Sequence, residues 1–245
     1  MKTTLVVPAL NELKGMRDIM PKVKPEWCEQ VIVLDGHSTD GTIELAKEMG
    51  YEVFEPESEG LWNQYRELFL SGLVKGGIVV TFSPDGNSVP EGIPLLIGAI
   101  ELLGHDIVIA SRYACGARSY DDTRITRLGN WLFTKLVNLL CGGRNTDAMM
   151  MFRAYKREVV EKLGFTEEVP KVHKWLQKIS GLSSWESVMC IRASRAGLKI
   201  AEIPVDEPPN YANDGRRRQH WIKHGFVILA QILYEGLIKK GGHKR

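Results

Sequence analysis

The chain has 245 residues, 44% hydrophobic and 25% charged, ordinary proportions for a globular protein with room for a sizeable core. Its 32 Lys+Arg and 30 Asp+Glu leave a net charge of +2, too small for a dedicated nucleic-acid binder. The balance is uneven: residues 211–245 carry eight Lys/Arg against two Asp/Glu and the rest 24 against 28, so a mildly acidic body meets a basic tail.

In chain order, Thr4 to Val7 reads as a strand and Asn11 to Val23 as a helix. Val31 to Leu34 is a second strand, and Asp40-Gly41-Thr42 opens a helix that runs to Met49. Tyr51 to Phe54 and Ile78 to Phe82 are further strands, with a helix from about Leu61 to Val74 between them. A helix from about Glu91 to Leu103 leads into a strand at Asp106 to Ala110. This alternation predicts an α/β fold with a mainly parallel central sheet flanked by helices. The second half begins with a helix, Ile125 to Leu140, bearing a polar stripe of Arg127, Asn130, Thr134 and Asn138. A strand at Met149 to Tyr155, helices around Val172–Ser180 and Trp185–Ala196, and a strand at Lys199 to Val205 follow. Asp206 to Pro209 breaks regular structure, and Arg216-Arg217-Arg218 precedes a long apolar helix, Gln219 to Ile238. The chain thus divides into a domain over 1–210 and a basic loop with an amphipathic C-terminal helix over 211–245. That helix suits packing on the domain, on a partner subunit in a homodimer, or on a membrane surface.

The start shows no signal-peptide pattern, and no stretch has the roughly 18 uncharged apolar residues of a membrane span. Cys28, Cys115, Cys141 and Cys190 are scattered without a C-x-x-C pair, as expected of reduced, mostly buried thiols. Both features predict a cytoplasmic protein, peripheral at the membrane face if the tail docks there.

In a parallel sheet, ligands bind beyond the carboxyl ends of the strands. Here those ends carry Pro8-Ala9-Leu10-Asn11-Glu12, Asp35 through Thr42, Ser83-Pro84-Asp85-Gly86-Asn87-Ser88, and Ser111-Arg112-Tyr113. Turns favour such residues anyway, but four polar strand ends together point to one crevice. No G-x-G-x-x-G follows the first strand, and Thr42 stands where a P-loop would need its lysine. His220 and His224 have a metal-ligand spacing without the glutamate of H-E-x-x-H, so a polar stripe explains them better.

These segments resemble the family 2 glycosyltransferases of GT-A fold. Val6 to Glu12 is similar to their opening, and Leu34 to Thr42 to their second signature. Ser83 to Glu91 falls at the metal-binding D-x-D segment, Ala110 to Tyr113 at G-S-R-Y, and Asp147 to Val160 at D-x-x-x-G-F-x-x-x-x-R-E. The subgroup most resembled is the dolichyl- or polyprenyl-phosphate mannose synthases and their prokaryotic relatives, over roughly Thr4 to Pro208. Ser83 replaces the first D-x-D carboxylate, Gly36 the second Asp of D-D-G-S, and Met151 the Gly before Phe152.

The resemblance implies a GDP- or UDP-sugar donor held by Pro8, Ala9, Asn11, Glu12, Asp35, Ser83 and Asp85, with Arg216 and Arg218 on a basic loop over the diphosphate. It implies Mg2+ or Mn2+ on Asp85, with Asn87 as a second oxygen ligand. Arg112, Arg124 and Arg127 are the candidates for acceptor phosphate, and Asp85, Arg112 and Asp147 for catalysis. A lipid phosphate is already anionic and attacks unaided, whereas a saccharide hydroxyl needs a general base, for which Asp147 and Glu186 are the candidates. The leading expectation is inverting, metal-dependent sugar transfer to a polyprenyl phosphate. Transfer to a saccharide or small-molecule hydroxyl, and non-catalytic binding of a nucleotide sugar, are the alternatives.

Overall fold

A computed structural model describes residues 1–180, 185–210 and 221–237. Its central sheet has seven strands in the order β3-β2-β1-β4-β6-β5-β7. These are β1 (Thr3–Ala9), β2 (Gln30–Asp35), β3 (Glu52–Phe54), β4 (Ile78–Thr81), β5 (Ile107–Ser111), β6 (Arg153–Lys156) and β7 (Ile200–Pro204). The pairs β1–β2, β1–β4, β2–β3 and β5–β7 are parallel, while β6 runs antiparallel to both β4 and β5. The parallel strands are near-continuous apolar runs, because helices cover both faces and alternation has no solvent side to serve. Leu5, Val6, Val7, Ile32, Val33, Val79, Val80 and Val108 are fully buried.

Several helices bridge the strands in crossovers: α1 (Leu13–Ile19), α2 (Thr42–Glu48), α3 (Leu61–Leu70) and α4 (Gly92–Leu103). From β1 the chain winds outward through β2 and β3, then returns to lay β4 on the other side of β1. The order therefore reverses at β1/β4, the kind of switch point where ligands bind in open α/β sheets. The Met149–Tyr155 strand is shorter than its apolar pattern suggests, beginning only at Arg153. Met151 is held outside it, its carbonyl accepting from the Thr81 hydroxyl at 2.6 Å. The first helix is shorter too. Asn11 takes a left-handed φ of 57°, which delays its start, and a 3-10 turn at Met20–Lys22 with Pro21 ends it.

The rest of the chain adds α5 (Arg124–Cys141), α6 (Arg157–Lys162), α7 (Lys171–Ser180), α8 (Trp185–Arg195) and α9 (Trp221–Leu237). α9 packs against α5, α7 and α8. Gly236 makes that approach possible: a Cβ there would sit 2.4 Å from Leu140 Cδ1. Inside this bundle Glu235 accepts from Arg192 Nε and Nη2 at 3.0 and 2.6 Å, and its Oε1 lies 2.9 Å from His173 Nε2. Arg195 donates to the carbonyls of Glu235 and Gly236 at the end of α9. Cys28 and Cys190 are buried, Cys141 is half-buried and Cys115 is exposed, so burial of the thiols is less uniform than expected. No helix among the described residues is long and apolar enough to cross a membrane.

Candidate active site

The ends of β1 and β2 are stapled together by the side chains of both motifs. Asn11 donates its backbone N–H to Ser38 Oγ at 2.9 Å and accepts the Thr39 N–H on Oδ1 at 2.9 Å. The Glu12 amide reaches Thr42 Oγ1 at 3.0 Å, and the Leu13 amide Asp40 Oδ2 at 3.0 Å. Asp40 also accepts from the Thr42 amide and hydroxyl at 3.0 and 2.5 Å. Burial alone would raise its carboxyl pKa, but these donors outweigh burial and lower it. Asn11, Ser38, Thr39, Asp40 and Thr42 therefore build the walls, with Pro8 and Ala9 on the adjoining strand end.

Those walls surround Asp35. It is fully buried, and Oδ2 accepts the Ser38 N–H at 2.7 Å. Its Oδ1 is buried without a hydrogen-bond partner. An unsatisfied buried carboxylate oxygen is costly in a folded protein unless a ligand completes it.

The β4 end forms a second cluster. Ser83 and Asp85 are buried, and Asp85 Oδ1 accepts the Asn87 amide at 3.1 Å, closing a tight turn through Gly86. Asn210 Nδ2 donates to Asp85 Oδ2 at 3.1 Å. Asn87 Nδ2 reaches Asp121 Oδ2 at 3.4 Å, while Asn87 Oδ1 is buried and unpartnered. Asp121 and Asn210, further linked at 3.4 Å through the Asn210 amide, carried no spacing signal in the sequence. Asp121 lay unmarked among polar loop residues, and Asn210 beyond a Pro-Pro break.

α1 sets the position of this turn from behind. A Cβ on Gly15 would sit 2.2 Å from the Pro84 carbonyl oxygen, so only glycine lets the helix pack so closely against the Pro84–Asp85 backbone. Gly15→Ala is expected to displace Asp85 and lower kcat roughly a hundredfold, the scale of an ångström-sized misplacement. Steady-state kinetics with a metal titration would check this. Wild-type values would show that the turn's position is not critical.

At the β5 end, Arg112 is tied into a buried triad. Its Nε and Nη2 grip Asp147 Oδ2 and Oδ1 at 2.6 and 3.0 Å, and Nη1 reaches Glu207 Oε1 at 3.2 Å. Ser119 Oγ donates to the other oxygen of Glu207. Burial opposes the guanidinium charge, but Asp147 and Glu207 more than restore it and raise the Arg112 pKa. Burial also raises the Glu207 carboxyl, with Arg112 acting against it. Arg112 is thus a framework cation whose fork is already engaged, and Asp147 is engaged on both oxygens. Glu207 and Ser119 join the site without having been marked by the sequence.

Arg124 and Arg127 lie exposed on the first turn of α5, Arg127 Nη2 donating to the Ser119 carbonyl at 3.3 Å. Cations at a helix N-terminus oppose its dipole, so this placement is electrostatically unfavourable for the helix itself. Glu186, on the first turn of α8, has a carboxyl that burial pushes above the usual range, against the pull of Arg153. Arg216, Arg218 and His220 lie outside the described residues. Among the described residues, no group of three His, Cys, Asp or Glu side chains is arranged to hold a metal. The oxygens that do fit a hard cation are the Asp85 carboxylate and the unpartnered Asn87 Oδ1, two residues apart on one turn.

The family model described as "Glycosyl transferase family 2" matches residues 4–164, from β1 through α6. The chain belongs to this family. Among the relatives of this glycosyltransferase, a dolichyl-phosphate hexose transferase of Haloferax volcanii is 31% identical over 203 residues. That match covers 82% of this chain and 80% of the relative. A polyprenol monophosphomannose synthase of Mycolicibacterium smegmatis is 27% identical over 223 residues, covering 83% of this chain and 76% of that one. In fold, the glycosyltransferase is similar to glucosyl-3-phosphoglycerate synthase of Mycobacterium tuberculosis crystallised with Mn2+, UDP and glucosyl-3-phosphoglycerate. The TM-score is 0.69 at 19% identity, over 96% of this chain and 80% of that one. The fold is GT-A.

Proposed function

We propose that this glycosyltransferase moves one sugar from a GDP- or UDP-sugar to a polyprenyl phosphate, with inversion and with the help of a divalent cation. The observation that carries the donor half is the pair of buried, unpartnered oxygens, Asp35 Oδ1 and Asn87 Oδ1, on loops flanking the β1/β4 switch point. Asp35 accepts hydrogen bonds from the ribose or base, and Pro8, Ala9, Asn11, Glu12 and Ser83 line the same crevice. Asp85 and Asn87 would hold Mg2+ or Mn2+, which would neutralise charge on the departing nucleoside diphosphate. The glucosyl-3-phosphoglycerate synthase of the same fold, crystallised with Mn2+ and UDP, supports the use of a divalent cation.

The acceptor half draws on the names of two relatives that act with dolichyl or polyprenol phosphate carriers. A phosphate monoester oxygen attacks C1 of the sugar as the bond from C1 to the nucleoside diphosphate breaks. No proton need leave the nucleophile, so no base is required, and displacement from one face inverts the anomeric centre. Exposed Arg124 and Arg127 position the acceptor phosphate and relieve repulsion against the diphosphate. Arg112, fixed by Asp147 and Glu207, holds the β5 loop between the two.

A second reading, transfer to a saccharide or small-molecule hydroxyl, needs a general base, and Asp147, with both oxygens on the Arg112 guanidinium, is poorly placed for that role. Turnover with a panel of UDP- and GDP-sugars, with and without polyprenyl phosphate, separates the readings. Transfer only to soluble hydroxyl acceptors would overturn the first, and donor binding without any transfer would leave a non-catalytic binder. Asp35→Asn is expected to weaken donor binding about 10- to 100-fold, the worth of one charged hydrogen bond. Calorimetry with the cognate nucleoside diphosphate checks this, and unchanged affinity would remove Asp35 from the donor site.

A further inference from the structure

Two asparagines bridge Asp85 to Asp121, in the loop that leads into α5, and each of them touches both carboxylates. Asn87 gives its backbone N–H to Asp85 Oδ1 at 3.1 Å and its side-chain Nδ2 to Asp121 Oδ2 at 3.4 Å. Asn210, from beyond β7, gives its backbone N–H to Asp121 Oδ1 at 3.4 Å and its Nδ2 to Asp85 Oδ2 at 3.1 Å. All four carboxylate oxygens therefore belong to one closed ring of amide donors. Two like charges held in one ring repel unless positive charge lies between them, and amide hydrogens carry only a partial charge. The ring also contains an oxygen with nothing to accept, because Asn87 Oδ1 is buried and unpartnered. Turning that amide over brings Oδ1 to the side of Asp121, an arrangement that only a cation would favour. The β4 turn itself offers a single acid, since Ser83 stands at the first position of the D-x-D segment.

We propose that Asp121 is the second carboxylate of the divalent-cation site, supplying from the loop before α5 the charge that Ser83 does not supply from the β4 turn. The inference rests on the assignment of Asp85 and Asn87 to Mg2+ or Mn2+, and adds to it a ligand from outside the motif. Small hard cations take oxygen donors, commonly one or two protein carboxylates beside phosphate and water. Asp85, Asp121 and Asn87 Oδ1 make up such a set, with the ion taking the place of the amide hydrogens between the two acids. Asp121 lies three residues before Arg124, on the loop that runs into the first turn of α5. An ion shared by Asp85 and Asp121 therefore ties the donor turn to the element that carries Arg124 and Arg127. Donor diphosphate and acceptor cations are then fixed relative to one another before the attack.

Mn2+ binding to the full chain, read from the electron paramagnetic resonance signal of the free ion with no nucleotide present, tests this without relying on turnover. Asp121→Asn should weaken the binding seen in the wild-type protein about 10- to 30-fold. Adding Ser83→Asp to Asp121→Asn should restore the affinity to within about threefold, because the lost charge returns on the β4 turn. Melting without metal separates a ligand from a strut. Asp121→Asn should leave Tm unchanged or raise it, since it relieves like-charge repulsion, whereas loss of a purely structural strut lowers Tm. Unchanged Mn2+ affinity in Asp121→Asn, with Asp85→Asn still losing it, overturns the role of Asp121 and leaves the Asp85 assignment standing. A fall in metal-free Tm with no recovery on adding Ser83→Asp also overturns it, making Asp121 a brace for Asn87 and Asn210. No Mn2+ binding by the wild-type protein, or none lost in Asp85→Asn, removes the metal reading itself and this inference with it.

Discussion

Asp85→Asn is expected to lower metal-dependent transfer about a thousandfold while leaving the fold in place. The substitution keeps an oxygen for the Asn87 amide, now 3.1 Å from Oδ1, so the turn through Gly86 survives. Asn210, now 3.1 Å from Oδ2, can rotate its own amide to accept instead of donate. What disappears is a buried negative charge at the end of β4, the element best suited to anchor a cation beside two phosphates. Losing about 4 kcal/mol of transition-state stabilisation corresponds to that thousandfold. The measurement is kcat across a Mn2+ titration, paired with thermal melting. Wild-type rates at saturating Mn2+ would remove the metal assignment, and a large fall in Tm would mean that Asp85 acts on the fold. A chelator should reproduce the loss in the wild-type enzyme and change little in the variant.

The β1–β5 half of the domain was legible because each apolar run is bounded by turn residues. Parallel strands buried on both faces leave an unambiguous run of valine and isoleucine, as at Val31–Leu34 and Ile78–Thr81. Strand direction was not legible. Nothing in Arg153–Lys156 announces that β6 inserts antiparallel between β4 and β5, since direction depends on the path of the chain through α5. The short helix α6 was also missed, its six residues too few to show a period. Within the site, Asp35 and Asp85 were found because they sit at strand ends inside motifs. Gly15, Asp121, Asn210 and Glu207 were not: Gly15 acts by close packing behind the turn, and the other three come from loops far away in sequence, as in the 125-residue separation of Asn210 from Asp85. The motif residues also divide in a way that spacing could not reveal. Asn11, Ser38, Asp40 and Thr42 satisfy backbone amides of the loops, and Asp35 leaves one buried oxygen without a partner in the protein.

Asp147→Asn should cost about 3–5 kcal/mol of stability, the range for removing one partner from a buried ion pair. For a chain of this length that is roughly a 10 °C fall in Tm. The reason is local: Asp147 is fully buried and takes two of the guanidinium's donors, so without its charge Arg112 is left with Glu207 alone. Glu207 cannot make up the difference, because burial already raises its carboxyl pKa and Ser119 engages its second oxygen. The kinetic outcome separates two roles. If Asp147 only positions Arg112, the variant loses kcat through a displaced β5 loop, but its pH–rate profile keeps its shape and Asp147→Glu restores part of the rate. If Asp147 removes a proton from the acceptor, the limb of the profile that reports the base vanishes and transfer to hydroxyl acceptors is lost selectively. The bidentate grip at 2.6 and 3.0 Å favours the first outcome, since a base needs an oxygen turned toward the acceptor and both oxygens here face the guanidinium.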